Sequence, residues 1–351
     1  MAFKKIVVIC TLGLLMLSSL FAAQISVQAY APDGTWEHLS LGGGTVRDIA
    51  IDPSNEKVMY AAVWLNTVYK TVDGGESWAF SGVGLELPFI EIVSIAIDPF
   101  NTNTIYAGGR QNYAAVVFKS TNAGATWTRF DTTIRNEDSS IFHIVVDPST
   151  PGLVYAITRE SRFYRSTNGG LDWTLSMTGF TGPFVNNGLI LNKSTIQASS
   201  LHACDILGHY RSTDSGLTWS PGGTFSCQAI AAEGMGSNIL YAVGVVDKIT
   251  RVFKSTDNGA NWTVSYSFGY KLWSAVIAVD PVNPSTLYIG NDEGNTRLGK
   301  FYVSQNGGVS WTELSTGMVN PNVQTIEVLS GAPSKIWVGT GGGGVLMRAS
   351  D

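Results

Sequence analysis

Two adjacent carboxylates, Asp292 and Glu293, open the polar stretch Asp292-Glu293-Gly294-Asn295-Thr296-Arg297 of a 351-residue chain. Acids of this kind cleave glycosidic bonds when a second carboxylate stands about 5–10 Å away across the bond. Glu86, Glu137, Glu160 and Asp205 are the candidates for that second acid. Other side chains offer binding in place of bond cleavage. Trp64, Tyr113 and Trp273 suit sugar stacking or a protein hot spot, and Arg110, Arg159, Arg162 and Arg297 occupy similar polar stretches. Of the four histidines only His202 and His209 are near each other. No metal and no cofactor is expected, and no nucleophile elbow, HExxH or phosphate loop occurs.

The segment 1–29 reads as a secretory signal. Lys4 and Lys5 are followed by the apolar run Ile6 to Leu17, and Val27-Gln28-Ala29 offers small residues for cleavage near Ala29. The run is short for a bilayer span, and no later segment is apolar for long enough to cross a membrane. The mature protein is therefore expected to be secreted or periplasmic, without an integral membrane segment, and monomeric. Removing 1–29 takes away two lysines and no acid, so the mature charge is 20 − 27 = −7. An acidic chain without a Lys/Arg run has no site for phosphates, so nucleic acid is excluded as a partner. The two mature cysteines, Cys204 and Cys227, are an even count in an oxidising compartment; a disulfide and two independent buried thiols both remain open.

What positions these residues is a repeat. TVDGGESW (71–78), STNAGATW (120–127), STNGGLDW (166–173), STDSGLTW (212–219), STDNGANW (255–262) and SQNGGVSW (304–311) are versions of one box. Its tryptophans Trp78, Trp127, Trp173, Trp219, Trp262 and Trp311 are 49, 46, 46, 43 and 49 residues apart, the period of stacked or radial units. A second phrase recurs as IDPSNEKVMYA, IDPFNTNTIYA, VDPSTPGLVYA and VDPVNPSTLYI, with aspartate and tyrosine always eight apart. Apolar β-branched runs precede each Asp-Pro, where the missing donor ends the ladder and a turn begins. Each unit thus reads as four antiparallel strands.

Within the box, Asp73, Asn122, Asn168, Asp214, Asp257 and Asn306 are placed to accept backbone N–H groups of their own turn, helped by the neighbouring hydroxyl. The tryptophan is expected to bury its ring between sheets and give its indole N–H to a backbone oxygen. Asn stands for Asp in three of the six boxes, which argues against calcium. Beyond Trp311 only three strands remain, and the segment Thr35 to Ser40, TWEHLS, is a spare fourth. The expected fold is all-β: a seven-bladed β-propeller over 30–351, four antiparallel strands per blade, closed by this N-terminal strand.

The boxes resemble the Asp-box or BNR repeat of sialidases, sortilin-type receptors and xyloglucan-cleaving glycosidases. With the DPxNxxxxYA phrase they look like the sortilin-like and photosystem II stability factor-like propellers, and like one half of the double-propeller xyloglucanases. Sialidases would imply an Arg-Ile-Pro motif, which is absent. The xyloglucanases would imply a blade-one acid after the YA strand, where this chain has Val63-Trp64-Leu65-Asn66. The expectation is accordingly an exported, non-catalytic module that recognises a protein or carbohydrate on the loop face opposite the boxes. A glycoside hydrolase using Asp292 and Glu293, and an assembly factor of the photosystem kind, are the alternatives.

Overall fold

The structure, a computed structural model, describes residues 35–39, 41, 44–64, 67–85, 90–130, 133–134, 140–160, 162–180, 190–191, 200–234, 237–293, 298–330 and 334–349. The expected leader over 1–29 lies outside the described residues, as do Glu86, Glu137 and Arg297.

Every described element is a strand, and the strands form seven four-stranded antiparallel sheets. Blade 1 comprises Val46–Ile51, Met59–Val63, Thr67–Thr71 and Ala79–Phe80; blade 2, Ile90–Ile97, Ile105–Gln111, Ala114–Ser120 and Thr128–Arg129. Blade 3 comprises Ile141–Val146, Val154–Thr158, Phe163–Ser166 and Thr174–Leu175; blade 4, Ile190–Leu191, Leu201–Asp205, Gly208–Ser212 and Ser220–Gly223. Blade 5 comprises Ser226–Ala232, Leu240–Val246, Ile249–Ser255 and Thr263–Ser267; blade 6, Ala275–Val279, Leu287–Asn291, Phe301–Ser304 and Thr312–Glu313. Blade 7 takes Val323–Leu329, Lys335–Thr340 and Gly344–Ala349 from one end of the chain and Glu37–Leu39 from the other. Glu37, His38 and Leu39 pair with Met347, Leu346 and Val345. Each innermost strand packs on the next, and that of blade 7 packs on that of blade 1, so the ring is closed as the repeat predicts.

The boxes fold by local hydrogen bonds. Thr71, Ser120, Ser166, Ser212, Ser255 and Ser304 accept the N–H of the glycine four residues on, at 2.8–2.9 Å. Those glycines have φ between +79° and +89°, a region closed to most side chains. Each hydroxyl also donates to Oδ1 of the box Asp or Asn at 2.6–3.0 Å. That oxygen in turn accepts the N–H four residues further on, at 2.8–3.0 Å. One carbonyl-type oxygen is all the turn needs, so Asn serves as well as Asp. Where Asp is used, it titrates. Hydrogen bonds from Asn261, first its side chain and then its backbone, hold the Asp257 carboxyl down at about 2. A depressed carboxylate stabilises above its unfolded value near 3.8 and loses that contribution as pH falls toward 2. Asp257→Asn is therefore expected to melt like the parent at pH 7, with a shallower loss of Tm between pH 4 and 2 by calorimetry.

Boxes also fasten neighbouring blades. Tyr60 Oη and Lys70 Nζ of blade 1 both donate to Ala123 O in the box of blade 2, each at 3.0 Å. Tyr106 Oη and Lys119 Nζ do the same to Gly169 O of blade 3, at 3.1 and 2.8 Å, and Arg165 Nε reaches Ser215 O at 3.0 Å. In the opposite direction, Trp127 Nε1 donates to Ser81 O of blade 1 at 2.6 Å and Trp173 Nε1 to Phe130 O of blade 2 at 3.0 Å. Trp36 Nε1 reaches Leu314 O of blade 6 at 2.9 Å, which makes it the tryptophan of blade 7.

Trp311 Nε1 also donates to a backbone oxygen, Gly308 O of its own box, at 3.2 Å. The expectation needs correction for Trp262, whose Nε1 turns to a histidine ring nitrogen, and for two more. Among the described residues the buried indole N–H groups of Trp78 and Trp219 have no acceptor. For Trp219, 5% exposed, ring burial outweighs the lost hydrogen bond.

Candidate functional site

Because strands alternate in direction, the loops joining second to third strands, and each blade to the next, share the face opposite the boxes. Irregularities in the ladders concentrate there. The innermost strands of blades 1, 2, 3, 5 and 7 each carry a bulge near this end. A bulge re-aims one side chain, and bulges favour functional sites. The extra residues are Arg47, Val93, Phe142, Gln228 and Gln324.

Arg47 and Gln324 join with Asp292 in a relay across three blades. Arg47 Nη1 donates to Gln324 Oε1 at 2.7 Å, and Gln324 Nε2 donates to Asp292 Oδ2 at 2.5 Å. The Arg47 guanidinium lies 5.3 Å from the ring centroid of Trp64, which is 38% exposed. Beside this relay Glu293 Oε1 accepts Asn291 Nδ2 at 2.7 Å and Trp273 N at 3.4 Å. Lys271 Nζ sits 3.5 Å over the ring of Trp273, which is 54% exposed. Gln228 Nε2 holds the same connection by donating to Leu272 O at 3.1 Å. On blade 2, Arg110 Nε pairs with Glu91 Oε2 at 2.6 Å and its guanidinium lies 5.9 Å from the ring of Tyr113, 81% exposed.

The structure thus brings Trp64, Asp292, Glu293 and Trp273 to one sector, blades 6, 7 and 1, and leaves Arg110 and Tyr113 on blade 2. Arg159 and Arg162 stand apart on blade 3, where Arg159 N donates to Ser140 O and Arg162 N to Thr158 Oγ1. Of the candidate second acids that are described, Glu160 and Asp205, neither belongs to the blade of Asp292. Glu160 is on blade 3, with blades 4 and 5 between it and Asp292. Asp205 is buried, its Oδ1 accepting Leu207 N and Gly208 N inside a hairpin turn, and burial raises its carboxyl above the ordinary range. The stretch from His202 to Asp205 is a strand. His202 faces the adjoining blade, and Cys204 is disulfide-bonded to Cys227 of blade 5, with Cα atoms 5.0 Å apart.

Sequence reasoning missed Arg47, Gln324, Gln228 and Glu91. Their one signal was a polar residue near the start of an otherwise apolar innermost strand, as in Val46-Arg47-Asp48 and Val323-Gln324-Thr325.

The fold defines a seven-bladed β-propeller with a polar, aromatic-bearing face. No protein-family profile matches the chain. By sequence it is similar to a xyloglucanase of a Paenibacillus species, 24% identical over 315 residues, covering 81% of this chain and 27% of that one. The chain therefore spans about a quarter of the length of this relative. By structure it is similar to YCF48 bound to a D1 peptide, with a TM-score of 0.66 and 15% identity over 92% of this chain and 99% of that one. It is also similar to a GH74 xyloglucanase from Xanthomonas campestris, with a TM-score of 0.64 and 18% identity over 90% of this chain and 53% of that one. Among the described residues no helix is long and apolar enough to cross a membrane.

Proposed function

We propose that this chain is an exported, non-catalytic binding propeller of the BNR or Asp-box kind, which holds an acidic protein segment on its loop face. One observation carries the reading. Three exposed aromatic residues of that face carry a cation over the ring, Arg47 on Trp64, Arg110 on Tyr113 and Lys271 on Trp273, while a fourth, Tyr270, shares a hydrogen bond with Tyr302. Trp, Tyr and Arg are the residues that dominate protein–protein hot spots. A cation over the ring occupies one face that a neutral sugar would stack on, and Arg47 and Lys271, unlike the Glu91-paired Arg110, supply charge for a carboxylate. The likeness in fold to a propeller bound to a peptide supports the choice of ligand class. The disulfide supports an oxidising compartment.

A second reading, glycan binding or glycoside hydrolysis, is favoured by the sequence likeness to a xyloglucanase and by Asp292 and Glu293 lying beside Trp273. One experiment separates the two. A displayed library of random peptides is selected on the immobilised protein, and a panel of β-glucans is assayed for retention and for release of reducing ends. Enrichment of peptides rich in Asp and Glu, with no sugar released, is expected. Arg47→Ala and Trp273→Ala should each weaken the selected peptide by about 10- to 100-fold in a titration, the range for hot-spot truncations. Sugar release that disappears in Asp292→Asn or Glu293→Gln would establish the hydrolase instead.

A further inference from the structure

Blade 4 departs from the other six at two positions facing blade 5. Its second strand carries His202 where the others carry Tyr60, Tyr106, Tyr155, Tyr241, Tyr288 or Trp337. Its third strand carries His209 where blades 1, 2 and 5 carry Val68, Val117 and Val252. The two imidazoles are buried and stacked, with centroids 5.2 Å apart and planes within 15°. The box of blade 5 closes over them at Gly259, where a Cβ would lie 2.7 Å from His209 Cε1.

The hydrogen bonds at this joint form a chain of one polarity. Trp262 Nε1, which can only donate, meets His209 Nδ1 at 3.3 Å. His209 must therefore carry its proton on Nε2, which faces His202 Nδ1 at 3.0 Å. His202 in turn carries its proton on Nε2 and donates to Asn258 Oδ1 at 3.0 Å. All four ring nitrogens are satisfied only when both rings are neutral. A proton added to His209 would point at the indole N–H, and one added to His202 would point at His209 N–H. Neither has an acceptor to turn to.

We infer that the joint between blades 4 and 5 is an acid-sensitive element of the ring, closed while both imidazoles are neutral and loosened when either is protonated, with the Cys204–Cys227 bond keeping the two blades together. The charged groups around the pair give protonation no compensation. Arg211, on the same strand as His209, is cationic and acts on both rings. Asp205 gives Oδ1 to its own turn, and Asp257 of the facing box is held by Ser255 and Asn261. Burial first, and then Arg211, depress His202 to about 4, with only the Asn258 bond opposing, and His209 is pushed down in the same direction by burial, His202 and Arg211.

A histidine depressed in the folded state stabilises fully above its unfolded value near 6.5 and loses that contribution as pH falls toward its folded value. Two such groups raise the unfolding constant by up to about 100-fold per pH unit in that window. Asp205, raised by burial, works in the opposite sense.

The test has three arms. Nitrogen-15 spectra of the wild-type protein should show both rings neutral at pH 6 with the proton on Nε2; a ring titrating near 6.5, or a proton on Nδ1, overturns the inference. His202→Tyr combined with His209→Val restores the pattern of blades 1, 2 and 5 and should flatten the dependence of stability on pH between 6.5 and 4; an unchanged slope overturns it. If that variant does not fold, the spectra decide alone. In the third arm, Trp262 fluorescence of the wild type should change reversibly near pH 4 with sheet circular dichroism retained. In Cys204→Ser with Cys227→Ser the same acid step should also remove the sheet signal. Identical behaviour of the two proteins overturns the part given to the disulfide.

Discussion

Removing residues 35–39 is expected to abolish cooperative folding of the ring or to lower its Tm by many degrees. The segment supplies the outer strand of blade 7 through three paired residues, and Trp36, 7% exposed, packs edge-on against Phe301 with centroids 5.0 Å apart. Truncating a buried tryptophan alone costs about 3–5 kcal/mol, a large share of the 5–15 kcal/mol typical of a whole domain. Deletion would also expose the Gly344–Ala349 edge, a template for association between molecules. Thermal scanning calorimetry, with light scattering recorded alongside, checks this. Trp36→Ala should by itself reproduce part of the loss, and a deletion that melts like the parent would show that the strand is dispensable.

Gly124→Val should produce the second large effect. Gly124 has φ +79°, and a Cβ there would lie 2.6 Å from Ser81 Oγ and 2.9 Å from the Tyr60 ring of the preceding blade. A β-branched residue carries a left-handed backbone penalty of about 1–2 kcal/mol, and overpacking adds about 1–3 kcal/mol. Urea denaturation should report a total of about 2–5 kcal/mol. Gly74→Ala is the control: its φ is +80°, but nothing lies within 4 Å of the added carbon, so it should cost only the backbone penalty.

The architecture was legible because its signals are local. A hydroxyl, a glycine and an Asn or Asp within four residues determine each turn whatever surrounds it, and the six repeats give the blade count almost by themselves. The short segment with Trp36 could be placed because its tryptophan matched the others. The ties between blades were less visible. Tyr60 reaches Ala123 across 63 residues, and nothing in the phrase ending in Tyr-Ala shows that its hydroxyl serves the next box. On the loop face, Trp64, Tyr113 and Trp273 were identifiable as large exposed aromatic residues. Their cationic partners Arg47 and Lys271 were not, because Arg47 depends on a bulge and Lys271 on the path of a connection. Asp205 misled because a carboxylate in a polar stretch looks the same whether it faces solvent or caps its own turn. His202 and His209 stood out in the sequence only as two histidines near each other, and the register of blade 4 shows that they replace a tyrosine and an aliphatic residue.

Each box leans on the blade before it, and that of blade 1 leans on Trp337 and on Leu39. This overlap has a temporal side. Trp36 meets Leu314 across 278 residues and its strand pairs with residues 345–347, so six blades and three strands of the seventh must be made before Glu37–Leu39 finds its berth. Until then a bulky indole stays wet and blade 1 lacks its neighbour. Contacts of such long sequence separation slow folding, which makes closure of the ring a late step, reached after the Gly344–Ala349 edge has formed and before Glu37–Leu39 covers it.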